Sequence, residues 1–169
     1  MPVGFAVHYE DGTSSSGRAW VDSAETVVHV ANPEGKPVAF AIFDPGHRLV
    51  RRLTFERSVD ALSAQALRAP NTIDRYDAVE ALRDVALDEK RDVLAEVFRK
   101  EPFAHTRAEA VRQLAPDAGS LPLLAAALDD PHPAVRGAVL AGVPAVAPAL
   151  LAGFERALED SSYQNVRTA

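Results

Sequence analysis

The chain contains no cysteine, which excludes disulfide bridges, cysteine nucleophiles and thiolate metal sites. It also lacks an apolar run near the roughly 18 residues that a membrane-spanning helix requires. The opening stretch, MPVGFAVHYEDG, has neither the basic start nor the long apolar segment of a signal peptide. These absences predict a protein without a membrane partner.

Positive charge is in deficit, because 18 lysine and arginine residues face 24 aspartate and glutamate residues, a formal net charge of -6. An acidic chain lacks the electrostatic field that attracts phosphate groups, so we expect no nucleic-acid partner. Hydrophobic residues make up 47% of the chain and charged residues 25%. This balance is typical of a globular protein.

The first third of the chain alternates apolar and polar residues with the period of two that is typical of strands. The polar run TSSSG at residues 13–17 indicates a loop. Together these patterns predict an antiparallel arrangement that forms part of a β-sandwich over residues 1–57. Strands are expected near residues 4–10, 19–21, 25–32, 37–43 and 49–55.

Two turn motifs separate the later strands. In NPEG, Gly35 can take a positive φ and Pro33 fixes its own φ near -65°. The second motif, Asp44-Pro45-Gly46, follows the segment PVAFAIF. Because that segment is apolar on both faces, we expect it to be a central strand of the sheet.

At Ser58 the hydrophobic period changes from that of strands to that of helices. Ser58 is predicted to cap a helix whose inner face carries Val59, Leu62 and Ala66. From there the chain repeats with a period near 30 residues, with two helices in each unit. The repeated segments are 69–82, 101–114, 130–143 and 161–169, and further amphipathic helices are expected over 88–100, 120–130 and 148–160.

Each repeated segment carries an arginine, and the spacings between successive arginines are 32, 29 and 31 residues. We predict a structural ladder in which each arginine bonds an acidic group or a helix-end carbonyl between repeats. The alternative is a surface that binds an acidic partner. The residues of the predicted ladder are Arg75, Arg107, Arg136, Arg167, Glu101 and Asp130.

The spacing of six residues from Glu101 to Arg107 and from Asp130 to Arg136 resembles that of HEAT repeats. Units of that family carry an acidic residue between two helices and an arginine six residues later. The resemblance predicts an α-solenoid over residues 58–169. The last segment, 161–169, is expected to be a truncated repeat.

The order of the two regions resembles the C-terminal part of the aminopeptidase N family of zinc metallopeptidases, where a small β-sandwich precedes a helical superhelix. The stretches that carry this resemblance are MPVGFAVHYEDG, PVAFAIFDPGHRLVRRLTFE and SVDALSAQALRAPNTIDRYDAVEAL. The resemblance implies a non-catalytic region that supports and caps the catalytic cleft of a parent enzyme. The implied partner is the catalytic domain of the parent chain, and zinc is the implied cofactor of that parent.

The residues that such an enzyme uses are absent from this chain. No two of its five histidines lie within five residues of each other, which excludes an H-E-x-x-H zinc motif. The substrate-amine motif of the family, G-x-M-E-N, needs a methionine, and the chain has only Met1. We therefore expect no catalytic, metal or cofactor site here. A cytoplasmic location is expected unless a parent protein carries a signal upstream.

A second hypothesis is a self-contained HEAT-repeat scaffold that binds another protein. A third, a HEAT-type DNA glycosylase, requires a basic surface, whereas residues 58–169 are acidic. We also expect self-association through unfinished ends, because unpaired strand edges pair with other chains and uncapped repeat ends bind one another.

Smaller sets of polar residues allow both a functional and a plain structural interpretation. Asp44 and His47 share a turn, so they form either a catalytic or metal pair or, as we expect, a turn fixed by the aspartate. His8 and His29 can meet if they lie on neighbouring strands. Arg48, Arg51 and Arg52 form a basic patch, which we expect at a strand edge or a domain contact. Ser14–Ser16 are expected to form a polar loop.

Overall fold

A computed structural model describes residues 1–50 and 53–169 of the chain. It shows a mixed fold, in which an antiparallel sheet of three strands is followed, within the described residues, by eight α-helices. The predicted order, antiparallel strands first and helices afterwards, is confirmed. The chain divides into two compact units, Met1–Ala78 and Val79–Ala169.

The sheet of the first unit consists of β1 (Pro2–Tyr9), β2 (Ser14–Trp20) and β3 (Val38–Phe43). β1 lies in the middle and pairs antiparallel with both neighbours. Phe5 of β1 lies opposite Gly17 of β2, where a β-carbon would come within 2.8 Å of the Phe5 ring. Glycine at this position therefore lets the aromatic ring cover the middle of β2.

The prediction of a central strand at residues 37–43 is wrong, because β3 lies at an edge of the three-stranded sheet. The middle of β3 is nevertheless well buried, with Phe40 and Ile42 only 2% and 6% exposed, whereas Val38 at its start is exposed. Helix α1 (Val59–Arg68) packs against this strand and supplies the cover. The apolar residues on both faces of β3 are thus explained by the packing of α1 against an edge strand and not by a central position in the sheet.

One loop prediction and two further strand predictions differ from the structure. Residues 14–17 of the predicted loop TSSSG belong to β2, because main-chain pairing with β1 holds even a serine-rich segment extended. Residues 25–32, predicted as a strand, lie outside the sheet, and both edges of β1 are already paired. Of the predicted strand at 49–55, Arg51 and Arg52 lie outside the described residues and the others form no strand.

Both predicted turns are present. Gly35 has a φ of 62°, and its N–H donates to the carbonyl of Asn32 at 3.1 Å. In the second turn the N–H of His47 donates to the carbonyl of Asp44 at 3.0 Å, and Gly46 has a φ of 75°. The residue types of these turns therefore predicted their backbone correctly.

Helix α1 begins where the sequence predicts. The Ser58 hydroxyl accepts a hydrogen bond from the Ala61 N–H at 3.2 Å, which is the contact of an N-cap. Leu62 and Ala66 of the predicted inner face are buried. Beyond the helix, Ala69 joins a small apolar core that also contains Phe40 of β3.

The remaining helices are all close to their predicted positions, and α2 crosses the division between the two units. Among the described residues, none of the helices combines the length and apolar character that crossing a membrane requires. The helices are α2 (Thr72–Ala81), α3 (Leu87–Lys100), α4 (Ala104–Leu114), α5 (Leu121–Ala127), α6 (Pro133–Gly142), α7 (Pro148–Ala157) and α8 (Tyr163–Thr168).

Within the second unit, α4 packs against α3 and α6, α6 packs against α8, and α5 packs against α7. The apolar residues at the repeated helical positions fill this core, and Val111 and Leu114 are completely buried. Gly153 lets α7 approach closely, because a β-carbon there would lie 2.5 Å from a methyl group of Leu128. Helices of the repeated segments are thus held together by apolar packing.

Replacing the cap of α1 tests the assigned helix start. Ser58→Ala should lower the free energy of unfolding by about 1 kcal/mol, because the Ala61 N–H loses its acceptor. Ser162 is the matched control, since it precedes α8 without a side-chain capping bond. Urea unfolding followed by circular dichroism should show a loss for Ser58→Ala and almost none for Ser162→Ala. Equal effects would contradict the assignment.

Candidate functional site

The arginines of two repeated segments, Arg107 and Arg136, each bind the acidic residue at the start of the following segment. Arg107 Nε and Nη2 donate to the two carboxylate oxygens of Asp130, both at 3.0 Å. Arg136 Nε and Nη2 donate in the same way to Asp160, at 2.6 and 2.8 Å. Both pairs are largely buried, and the side chains of Asp130 and Asp160 are 7% and 3% exposed. The two parallel hydrogen bonds between a guanidinium and a carboxylate are strong and directional.

The same guanidinium groups also donate to backbone carbonyls five and six residues earlier in the chain. Nη1 of Arg136 donates to the carbonyls of Asp130 and Pro131 at 2.8 and 3.1 Å. Nη1 of Arg107 donates to the carbonyls of Glu101 and Pro102 at 3.0 and 2.9 Å. The six-residue spacing therefore places Arg136 over the carbonyl of Asp130, while the carboxylate of Asp130 faces Arg107.

The acidic residues have a second role as helix-start groups. A carboxylate oxygen of Asp130 accepts the N–H of His132 at 2.8 Å, and one of Asp160 accepts the N–H of Ser162 at 2.7 Å. The hydrogen bond from Arg136 holds the pKa of the Asp160 carboxyl well below its ordinary value, although desolvation opposes it. Each carboxylate thus joins the start of its own helix to the arginine of the previous segment.

The first and last arginines of the series differ from each other in their contacts. Arg75 donates to the carbonyls of Ala69 and Pro70 at 2.9 and 3.1 Å, so its backbone contacts persist although Ala69 stands at the acidic position. Arg167 is exposed, and its guanidinium lies 6.0 Å from the centre of the Tyr163 ring. It is seven residues after Asp160 rather than six, which turns it about 100° around the helix.

A second network surrounds a carboxylate that the sequence did not single out. Glu109 of α4 has a fully buried side chain, and Arg83 binds both of its oxygens at 2.7 and 2.9 Å. Arg112 and Gln113 also donate to it. Burial alone raises the pKa of Glu109, but the bonds from Arg83 and Gln113 and the charge of Arg112 bring the pKa below its ordinary value. Glu109 is therefore held as an anion.

Lys90 is the buried cation of this unit, with 5% of its surface exposed. Its Nζ donates to the carbonyls of Leu82 and Arg83, both at 2.8 Å. Burial lowers the pKa of Lys90. The ammonium group binds the two carbonyls at the end of the helical segment that includes α2, where partially negative groups are left without helical partners.

In the first unit, Asp44 proves to be a turn former. Its carboxylate accepts the N–H groups of Arg48 and Leu49 at 3.2 and 3.0 Å. His47 faces another residue, because its Nε2 lies 3.9 Å from the buried carboxylate of Asp74. Asp74 in turn accepts the N–H of Gly46 at 3.0 Å. The turn is thereby anchored to α2.

The backbone of this turn is unusual at two positions. Asp44 and His47 have positive φ values of 56° and 52°, a region that residues with a β-carbon seldom occupy. The bonds to Asp74 offset the cost of this conformation. The predicted pair of Asp44 and His47 is therefore part of a strained turn held by Asp74, which the sequence did not reveal because it lies 27 residues further along.

The other predicted sets are separated. The ring of His8 stacks on Phe40 of β3 at 4.4 Å, while His29 lies outside the strands. Burial, and then the charge of Arg68, lower the pKa of His8. Of the predicted basic patch, Arg51 and Arg52 lie outside the described residues. Within the described ranges, no three histidine, aspartate or glutamate side chains gather as a metal site would require.

Two other histidines meet that the sequence did not pair. The rings of His105 and His132 lie 5.3 Å apart in an edge-to-face arrangement at the starts of α4 and α6. His132 Nδ1 accepts the N–H of Ala134 at 3.2 Å, so this side chain caps the start of α6. Both histidines follow the acidic residue of their segment within four positions. This equivalent position in two neighbouring repeats is the sequence pattern from which their contact could have been predicted.

A groove of about 490 Å³ runs along α6 in the second unit. Its floor is formed by the short residues of α6, such as Ala134, Ala138 and Ala141. Polar residues of α8, including Gln164 and Thr168, line one wall.

Comparisons of the chain with protein-family models, with curated proteins and with solved structures gave no match. The geometry described above is therefore the basis on which a function can be proposed.

Replacing Arg136 measures the contribution of these arginines. Arg136→Ala should lower the free energy of unfolding by about 1–3 kcal/mol, because the buried Asp160 carboxylate loses its partner. Arg156→Ala is the control, since the Arg156–Asp129 pair is more than half exposed and should cost within about 0.5 kcal/mol. Denaturant unfolding separates the two, and a silent Arg136→Ala would favour the alternative of a binding surface.

Asp117 provides a test by pH. The hydrogen bond from Arg91 lowers the pKa of its carboxyl from 3.8 to about 2. Ionised Asp117 therefore stabilises the folded state above about pH 4, and this contribution is lost as the pH falls towards 2. Asp117→Asn should make the unfolding free energy depend less on pH over that interval. An unchanged slope beside the wild type would contradict the assigned role of the Arg91–Asp117 pair.

Proposed function

We propose that the chain is a non-catalytic helical-repeat protein whose residues 58–169 form a HEAT-like α-solenoid and which acts by holding the surface of another protein. The observation that carries this proposal is the repeated contact of Arg107 with Asp130 and of Arg136 with Asp160. One geometry used twice at the repeat spacing is what an array of equivalent units requires.

The state of the buried acidic groups supports a non-catalytic role. Catalytic carboxylates need a proton that they can give or take near neutral pH. Here the carboxylates of Asp160 and Glu109 have pKa values below the ordinary range, because arginines hold them as anions. Asp74 is occupied as an acceptor of N–H groups from Gly46 and Asn71. These groups stabilise structure.

The resemblance to aminopeptidase N gives a narrower form of the proposal. In this form, residues 1–57 are part of a β-sandwich joining domain, and the helices cap the catalytic cleft of a parent zinc enzyme. The order of the sheet and the helices, with α1 packed on β3 inside the first unit, supports this form. The partner would be the catalytic domain of the parent chain, and zinc would belong to that domain.

The alternative form is a self-contained scaffold that binds a separate protein. The groove along α6 favours this form, because it offers a concave surface within the second unit itself. Mass spectrometry of the native polypeptide in its source cells distinguishes the two. A polypeptide that contains these residues together with an H-E-x-x-H region would establish the first form, and one without that region would establish the second.

The shared core of both forms is tested with the purified chain. We expect no stoichiometric zinc by elemental analysis and no release of amino acids from chromogenic aminoacyl amides. The physical reason is that the five histidines include no pair with the spacing of a helical zinc motif. Bound zinc at one equivalent, or turnover that a chelator removes, would overturn the non-catalytic assignment.

A further inference from the structure

An open cavity of about 430 Å³ in the first unit is lined by residues of β1, of β2 and of the turn that follows β3. Its volume is within the range of cavities that bind small molecules. Gly4 of β1 and Gly17 of β2 line it, so two of the lining positions carry no side chain. Phe5, Pro45 and Leu49 supply apolar surface. The cavity therefore has room for a small ligand with an apolar body.

Two arginines of this cavity have guanidinium groups without a partner among the described residues. They are Arg18 of β2 and Arg48 of the turn, and both are exposed. The guanidiniums of the other described arginines of the first unit, Arg57, Arg68 and Arg75, donate to a carboxylate or a backbone carbonyl. Since the chain has 24 acidic residues that could pair with arginine, two unpaired guanidiniums in one cavity point to a negatively charged ligand.

Asp44 is the one acidic residue that lines the cavity within the described part of the chain. It is only 2% exposed, and its carboxylate accepts the N–H groups of Arg48 and Leu49. The charged groups that are open to a ligand are therefore positive. The chain has a net charge of -6, but exposed charges more than about 8 Å apart are largely screened at physiological salt, so a small anion responds mainly to the groups that line the cavity.

The turn that carries Arg48 is strained and anchored. Asp44 and His47 have positive φ values of 56° and 52°, which are costly for residues with a β-carbon. The N–H of Gly46 donates to the buried carboxylate of Asp74, which holds the turn on α2. Backbone strain of this kind is concentrated at ligand-binding and catalytic positions of proteins. Here it fixes the backbone from which the Arg48 side chain extends.

We propose that this cavity binds a small molecule that carries a phosphate monoester beside an apolar body. A phosphate monoester has a charge of about -1.5 to -2 at neutral pH, which matches the two guanidiniums of Arg18 and Arg48. Its oxygens accept charge-assisted hydrogen bonds from arginine, and the exposed hydroxyl of Ser16 is a further donor in the lining. Phe5 and Leu49 would contact the apolar body.

This inference goes beyond the proposed function, because the cavity belongs to the first unit whereas the proposed protein-binding surface belongs to the helical repeats. It also requires no nucleic-acid partner. A nucleic acid binds to an extended basic surface, whereas one phosphate group needs only the few donors that touch it.

The test uses the full chain labelled with ¹⁵N and three probes of similar size, which are phenyl phosphate, benzoate and benzyl alcohol. Phenyl phosphate should shift the amide resonances of residues 4–5, 16–18 and 46–49 in a saturable manner, with half-saturation below about 1 mM. Benzoate has a single charge and should bind about tenfold more weakly. Benzyl alcohol should show no saturable binding, because it makes no charge-assisted hydrogen bond to arginine.

Variants of the two arginines locate the binding. Arg18→Gln and Arg48→Gln should each weaken the binding of phenyl phosphate about tenfold or more, since each removes one charged donor. Arg99→Gln, the same change at an exposed arginine at the end of α3, is the matched control and should leave the affinity unchanged. The dispersion of the amide spectrum checks that each variant is folded, and the comparison of the three probes with the unmodified chain does not depend on any variant.

Several outcomes would overturn the inference. These are half-saturation by phenyl phosphate above about 1 mM, equal binding of phenyl phosphate and benzoate, shifts confined to the second unit, and unchanged affinity in both arginine variants. Tighter binding of a phosphoserine pentapeptide than of phenyl phosphate would assign the site to a phosphorylated protein instead of a small molecule. Bound zinc or amide turnover would overturn the proposed function and leave this inference unaffected.

Discussion

The second unit depends on one contact, the two-point hydrogen bond between an arginine and the acidic residue of the following segment. A buried ion pair of this kind gains little net stability over an apolar contact, because both charges leave water. Its effect is geometric. The guanidinium of Arg136 joins the carboxylate of Asp160 to the carbonyls of Asp130 and Pro131, so it fixes two connections between helices at once. Apolar packing alone leaves such connections free to slide.

Much of the helical part could be predicted from the sequence because its signals are local. The spacing of apolar residues predicted where the helices lie, and Ser58 marked the start of the first helix. The sheet was harder, because a strand is defined by its neighbours. The serine-rich β2 is extended through pairing with β1, and residues 25–32 have strand-like composition without a pairing partner. Composition does not state which edges are available.

Around the candidate site, too, the contacts with a local sequence pattern could be predicted and those between distant residues could not. The spacing of Arg107 and Arg136 after the acidic residues indicated backbone and carboxylate contacts, because both ends of the contact recur along the sequence. Glu109 and Asp74 were not found, since the bonds from Arg83 to Glu109 and from Gly46 to Asp74 join distant parts of the chain. The groove was also beyond sequence reasoning, because it arises from short side chains on α6 beside polar ones on α8.

The two-sided role of Asp130 has a consequence for how such a chain can change in length. Its carboxylate serves Arg107 before it, and its carbonyl serves Arg136 after it. Adding or removing a whole unit, from one acidic residue to the next, leaves arginines placed like Arg107 and Arg136 with a carboxylate ahead and a carbonyl behind. A deletion of a few residues inside a unit instead rotates one arginine away from both. The chain is therefore open to evolution by duplication of complete units and resistant to small insertions within them.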